Sequence, residues 1–271
     1  MSDCAQAREA CMATSSTKCI EVENVNLNKK VDAAQVMNQF VNGATDGMMK
    51  NVVNADGISD DAKLILINAI HFIGKWKYPF NPASTRVGDF REANGAKNNV
   101  EYMNLEGKSF RSSQNSNGTV LILPYKDEEY SFFFFMPNKT THRRFEKFRS
   151  DITGEKLLSV LKEARASTVD ISVPKLGMES KVDGVMLLKL MGVNSLFGNT
   201  ADLSKISDAK LLVSKIVHDA VIKVYEAGTE AGASTQVEIS LEMARPRIVI
   251  DRAFLFGILK GEHIVFLGQK G

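Results

Sequence analysis

The side chains able to make or break bonds are few and scattered. The four histidines, His71, His142, His218 and His263, lack the spacing that closes a metal site. There is no Gly-x-Ser-x-Gly turn, no Walker loop, no Gly-x-Gly-x-x-Gly and no His-Glu-x-x-His. Acyl transfer, nucleotide binding and zinc hydrolysis therefore have no signature, and neither a cofactor nor a metal is expected. The chemistry that the sequence does pattern is backbone pairing. The odd positions from 229 are Thr229, Ala231, Ala233, Thr235, Val237, Ile239 and Leu241, all small or apolar. The even ones are Glu230, Gly232, Ser234, Gln236, Glu238, Ser240 and Glu242, all polar or Gly. Period two is how a strand puts one face in a core and the other in water. The first half has poor β-propensity and nothing bulky on its inward face, so it could slide between other strands. The second half brings Val, Ile and Leu, each worth roughly 1.5–3 kcal/mol once buried. The pattern alone leaves two readings open: a strand inserted late, and a plain edge strand with an Ala-rich start.

The elements that must carry this segment come from the rest of the chain. Its 271 residues hold 34 Lys+Arg against 32 Asp+Glu, a net charge of +2, with 44% hydrophobic residues. That balance is globular and gives no electrostatic footprint for nucleic acid or an anionic membrane. No run reaches the roughly 18 apolar residues of a membrane span. Residues 1–18 are small and polar and read as a poorly ordered lead-in, with 19–271 a single domain. Cys4, Cys11 and Cys19 are the three cysteines, so no disulfide framework staples the body of the fold. Met1 to Ser16 has no apolar leader core, which implies a cytoplasmic protein. The alternative is an extracellular one whose signal was lost with a missing N-terminus. The sequons at Asn117 and Asn138 then read as chance matches.

Periodicity assigns a strand to Ile20–Leu27, an amphipathic helix to Val31–Phe40 and a strand buried on both faces to Lys63–Ile73. Strands follow at Arg86–Arg91, Asn99–Leu105, Thr119–Leu123 and Ser131–Met136, the last holding the run Phe132–Phe135, which must be buried or aggregate. Helices are read at Thr141–Phe148, Glu155–Lys162 and Val182–Met191. Further strands are read at Thr168–Val173, Leu211–Tyr225, Ala253–Leu259 and Glu262–Leu267. This is an α+β chain of large, mostly antiparallel β-sheets with interspersed helices. The basic run His142-Arg143-Arg144 with Lys147 and Arg149 reads as a solvated helix face, diluted by Glu146 and Asp151. His218, on a strand, reads as a hydrogen-bonded core group rather than a general base.

Glu226-Ala227-Gly228-Thr229-Glu230-Ala231 followed by Gly232-Ala233-Ser234-Thr235 resembles the hinge of the serpins. Val217-His218-Asp219-Ala220 precedes it at the family spacing. Ala253-Phe254-Leu255-Phe256 resembles the family's Pro-Phe-x-Phe, with Ala in place of Pro. Leu66-Ile67-Asn68-Ala69-Ile70-His71-Phe72-Ile73-Gly74-Lys75-Trp76 is close to its most recognisable strand. Phe80, Thr85-Arg86, Met103, Leu123-Pro124-Tyr125, Val173-Pro174-Lys175 and Ala201-Asp202-Leu203-Ser204 continue the ordered match over about residues 20–271.

The resemblance implies a serpin-like fold with an exposed reactive loop over about 226–247, and a trap for an endopeptidase. The protease attacks the loop, forms an acyl-enzyme, and is dragged away as the cleaved loop inserts as a new sheet strand. Counting from Glu226 and from Phe254 both place the reactive bond at Glu242–Met243, flanked by Ile239, Ser240, Leu241, Ala244 and Arg245. Asn68 and His218, with Trp76 and Lys175, would mark where the sheet opens, Lys175 pairing with Glu226. Glu242 favours a serine protease with a basic specificity pocket, and Leu241 a papain-like cysteine protease; both classes stay open. Loop-sheet polymers are a built-in hazard of such an open sheet. Family members run to roughly 350–400 residues, beyond the usual single core, so the chain reads as truncated, without the N-terminal helices. Apolar faces of the Lys63–Ile73 and Leu211–Tyr225 strands would then lie uncovered. A non-inhibitory fragment, acting as a protease substrate or an interaction module, is the alternative.

Overall fold

The computed structural model describes residues 23–72, 74–139, 141–227 and 245–271. Two compact units divide the chain, one of Met1–His71 with Met178–Ile222 and one of Phe72–Gly177 with Lys223–Gly271.

In the first unit, helix α1 (Lys30–Ala44) places Ala33, Ala34, Met37 and Val41 on one buried stripe, the spacing expected of an amphipathic helix. Strand β1 (Leu64–His71) runs parallel to the long strand β8 (Val213–Val224), whose last two residues belong to the second unit. Strand β7 (Leu176–Asp183) completes a three-stranded sheet in the order β1-β8-β7. The α1 stripe packs on Val217 together with Ile65 and Ile67, while Val41 and Met49 pack on Val221. Asn38 ties the following segment to α1, accepting from Val52 N (2.8 Å) and Val53 N (2.9 Å) and donating to Val53 O (2.8 Å).

Two expectations need correction here. Glu23–Leu27 forms no strand, the rest of Ile20–Leu27 lying outside the described residues. Asn26 Oδ1 accepts from Asn28 N at 3.1 Å and Asn26 O from Lys29 N at 3.0 Å, so the Asn side chain bends the backbone into a turn. Strand β1 is not buried on both faces: none of its residues is fully buried and Leu66 is 39% exposed. Only the side bearing Ile65 and Ile67 meets α1 and its neighbours. The short helix α4 (Gly184–Leu190) likewise leaves Met186, Leu187, Leu190 and, just beyond it, Met191 exposed. Strand β7 was not foreseen, although Leu176, Met178 and Val182 alternate with Gly177, Glu179, Lys181 and Asp183.

The second unit is built on β2 (Arg86–Arg91), β3 (Lys97–Asn115), β4 (Gly118–Pro124), β5 (Tyr130–Met136), β6 (Arg165–Pro174), β9 (Arg247–Val249), β10 (Phe254–Lys260) and β11 (His263–Lys270). They form one sheet in the order β11-β10-β5-β4-β3-β6-β9, with β2 paired to β3. Phe132, Phe133, Phe134 and Phe135 are wholly buried, as their aggregation hazard demanded. Phe133 and Phe135 face helix α3 (Gly154–Glu163) through Leu157, Val160 and Leu161. Phe132 stacks on Phe256 (5.8 Å) and Phe134 meets Phe254 edge-on (5.3 Å). Helix α2 (His142–Asp151) exposes His142, Arg143 and Arg144, and pairs Lys147 with Asp151 and Arg149 with Glu146. It is a solvated face.

Candidate functional site

The segment from β8 to β9 is the part of the chain that the sequence marks out, and both of its described ends lie in the second unit. Its first end is Tyr225-Glu226-Ala227. Trp76 fixes this end twice, donating Nε1–H to Tyr225 O (2.8 Å) and its backbone N–H to Ala227 O (3.2 Å). Phe80 N donates to Glu226 O at 2.8 Å. Three successive carbonyls, beyond the last residue of a strand and without a ladder of their own, are thus satisfied by two residues. Trp76 is itself held rigid: it is 4% exposed, stacks on Tyr125 at 4.6 Å and 6°, and meets Phe132 and Phe80 edge-on. Gly74 is required beside it, because a Cβ there would stand 2.6–2.7 Å from the rings of Tyr125 and Phe72. Burial raises the Tyr125 phenol well above its ordinary pKa, so it stays neutral.

The Glu226 side chain adds a charged clasp. Its Oε1 accepts from Thr85 Oγ1 at 2.7 Å and lies 2.8 Å from Lys175 Nζ. The carboxylate is 13% exposed and the ammonium 24%. Burial works against the Glu226 charge, yet the bonds from Lys175 and Thr85 outweigh it and hold the carboxyl below its ordinary value. The same bond to Glu226 raises Lys175, opposed by burial. Lys175 has a second acceptor in Glu101 at 3.4 Å.

The other end is Arg245-Pro246-Arg247, leading into β9. Asp170 N donates to Pro246 O (3.0 Å) and β9 pairs parallel with β6, Asp170 opposite Arg247. Arg245 Nε forms an ion pair with Asp170 Oδ1 at 3.3 Å, without the geometry of a hydrogen bond, and that oxygen accepts from Gly107 N at 2.8 Å. Gly107 sits where β3 slips register against β6, between Leu105 and Lys108, at φ +64. That left-handed conformation suits glycine, and a Cβ there would come 3.0 Å from the Arg245 guanidinium.

Of the residues singled out from sequence, Trp76, Lys175, Glu226 and Ala227 come together, and Arg245 is placed at the second end. Asn68 and His218 lie opposite one another in the β1–β8 register of the first unit. Gly228, Thr229, Glu230, Ala231, Gly232, Ala233, Ser234 and Thr235, the flank Ile239, Ser240, Leu241 and Ala244, and the bond Glu242–Met243 lie outside the described residues. Asp170 and Gly107 were missed. A glycine inside an otherwise strand-like run was the available signal for the irregularity at Gly107; Asp170 gave none.

No group of three or more His, Cys, Asp or Glu able to hold a metal occurs among the described residues. A family model described as Serpin (serine protease inhibitor) matches residues 13–270. An uncharacterized serpin-like protein of Methanosarcina acetivorans is 31% identical over 259 residues, covering 92% of this chain and 60% of its own length. Serpin48 of the insect Tenebrio molitor superposes with TM-score 0.78 at 30% identity, over 91% of this chain and 66% of that one. Human thyroxine-binding globulin gives TM-score 0.79 at 27% identity, over 91% of this chain and 65% of that one. The chain thus spans about 60% of the length of the first relative it matches.

Proposed function

The chain belongs to the serpin family, and from that premise we propose that it is a suicide inhibitor of an endopeptidase. The protease is trapped as an acyl-enzyme when the cleaved loop inserts as a strand between β1 and β8. The observation that carries the reading is the period-two run Thr229–Glu242, with nothing bulky or charged at Thr229, Ala231, Ala233 or Thr235. A segment joining the pinned ends at Ala227 and Arg245 has the two properties a bait requires: fixed ends and an insertable sequence. The clasp on Glu226 gives the insertion a defined starting point.

In the native sheet β1 and β8 are directly paired from Leu64–Val213 to His71–Val221. Insertion exchanges that ladder for two new ones, so each backbone group that loses a partner regains one. The gain comes from burying Val237, Ile239 and Leu241 and from the added strand. The target is a Glu-preferring serine protease reading Glu242, or a papain-like cysteine protease reading Leu241.

The second reading is a chain that is cut without trapping, or that serves as an interaction module. It draws on the exposed apolar residues Leu66, Met186, Leu190 and Met191 of the first unit. Mixing the protein with each protease class and running a denaturing gel separates the two. A covalent complex stable to denaturant supports the trap; loop cleavage alone supports the second reading.

A further inference from the structure

The clasp around Trp76 borders a cavity that neither described end of the loop lines. In the second unit, segments 74–77 and 124–130 are laced together by backbone bonds. Lys126 N donates to Lys75 O (2.6 Å), Lys77 N to Pro124 O (3.0 Å) and Tyr125 N to Tyr130 O (3.1 Å). Beside them opens a cavity of about 620 Å³, walled by the rings of Phe72, Tyr125 and Tyr130. Phe72 meets Tyr125 at 5.1 Å and Tyr130 at 5.6 Å, both tilted. Lys260 Nζ lies 5.5 Å over the Tyr130 ring and steadies it.

Three polar groups at this cavity are unused. Tyr125 is 2% exposed, yet its hydroxyl has no hydrogen-bond partner among the described residues. Burial keeps the phenol protonated, so it remains a donor. A buried hydroxyl without a partner is a cost that an incoming acceptor removes. Lys75 and Lys126 stand exposed on the rim, and neither ammonium has an acidic partner among the described residues. The acidic side chains nearby are engaged. Asp127 Oδ1, on the same rim, accepts from Glu129 N (3.1 Å), Glu128 pairs with Lys77 (2.7 Å) and Glu129 with Lys260 (3.7 Å). The rim therefore sets the cations Lys75 and Lys126 against the single anion Asp127.

We propose that this cavity binds a small aromatic anion, its ring among Phe72, Tyr125 and Tyr130 and its acid group held by Lys75, Lys126 and the Tyr125 hydroxyl. The chemistry selects on two counts. An aromatic wall favours a flat ring, offset or edge-on to its neighbours. Two ammoniums supply only donors, so the polar end of the ligand must accept and carry negative charge. The site also touches the clasp. Tyr125 is the ring on which Trp76 stacks at 4.6 Å, and Trp76 holds Tyr225 O and Ala227 O. A ligand closing on Tyr125 thus packs against the support of the residue that pins the loop's first end. Binding does not depend on whether the loop traps a protease.

The probe is phenyl phosphate, titrated into the intact chain and followed by the ligand's own NMR line widths and by Trp76 emission. Saturable binding is expected. It should be about tenfold or more tighter than that of benzyl alcohol, which lacks the charge, and of methyl phosphate, which lacks the ring. Lys75→Gln and Lys126→Gln are each expected to weaken it about threefold to fivefold, the scale of an exposed ion pair at low salt. Tyr125→Phe keeps the stack on Trp76 and removes only the hydroxyl. It is expected to weaken binding about fivefold to tenfold yet to unfold in urea no earlier than the parent, since the lost hydroxyl had no partner. Lys97→Gln, which lies outside the cavity, is expected to leave the affinity unchanged. No saturation by about 10 mM phenyl phosphate, an equal affinity for benzyl alcohol, or parent affinity in all three cavity variants overturns the proposal. If Tyr125→Phe does not fold, the two lysine variants decide.

Discussion

The clasp at Glu226 is the most exposed point of the account to experiment, because the molecule's only tryptophan reports on it. Consider Glu226→Gln. The amide keeps an acceptor for Thr85 and loses the ion pair with Lys175 at 2.8 Å. Exposed pairs contribute about 0–1 kcal/mol and breaking buried ones costs about 3–5. With 13% and 24% exposure the Glu226–Lys175 pair falls between them. The retreat of Lys175 to Glu101, 3.4 Å away, reduces the loss further. The expected cost is about 1.5 kcal/mol, roughly tenfold in the local opening constant. Trp76 donates to Tyr225 O and Ala227 O, so its fluorescence follows release of this end. Glu226→Gln, Lys175→Met and the double variant, unfolded in urea and followed by Trp76 emission, give the coupling directly. About 1 kcal/mol or more is expected, with the Trp76 transition moving ahead of the far-ultraviolet signal. A coupling below about 0.3 kcal/mol, the level of additive sites, would refute the clasp.

The pH dependence carries a defined sign. Glu226 is held below its ordinary value near 4.5, so its contribution is complete above that pH and lost as pH falls through the lower folded value. Trp76 emission in the parent should show an acid step that Glu226→Gln lacks. Asp219 behaves oppositely: it is 2% exposed, and burial raises its pKa above 3.8 although Lys181, 3.8 Å away, opposes the rise. Its charged form is a cost at neutral pH, so Asp219→Asn should stabilise the first unit by about 1 kcal/mol. That gain should shrink as pH falls through the raised pKa; a loss of stability at pH 7 would contradict it. Phe133→Ala, in the fully buried layer against α3, should cost about 3–5 kcal/mol in denaturant titrations. Thr229→Arg should abolish trapping and leave loop cleavage intact, because an unpaired charge would have to enter the sheet; trapping at the parent stoichiometry would remove the insertion step from the account.

Much of this architecture is written in hydrophobic period. The α1 stripe, the four buried phenylalanines of β5 and the strands β2, β4, β10 and β11 all follow from spacing that packing then enforces. What escaped was set by long-range or side-chain effects. The turn at Asn26 replaced a strand because an Asn carboxamide competes for the backbone. The half-exposed β1 looked buried because an apolar β-rich run does not reveal how many layers cover it. In the site, the family spacing brought Lys175 to Glu226 across 51 residues of sequence separation. Thr85, quoted only as part of a resemblance, proved to bond Glu226. Asp170 was invisible because its partners, Gly107 and Arg245, meet it only once β3, β6 and β9 are in register.

The covalent-complex gel tests the central claim most directly. The chain is mixed with a Glu-preferring serine protease and, separately, with a papain-like cysteine protease, then denatured and resolved by size. The account predicts, with at least one of them, a band at the summed mass of protease and inhibitor less the peptide beyond Glu242, with Met243 as the new amino terminus of that peptide. Complete cleavage of the loop by both enzymes, with no such band and full protease activity remaining, would contradict it.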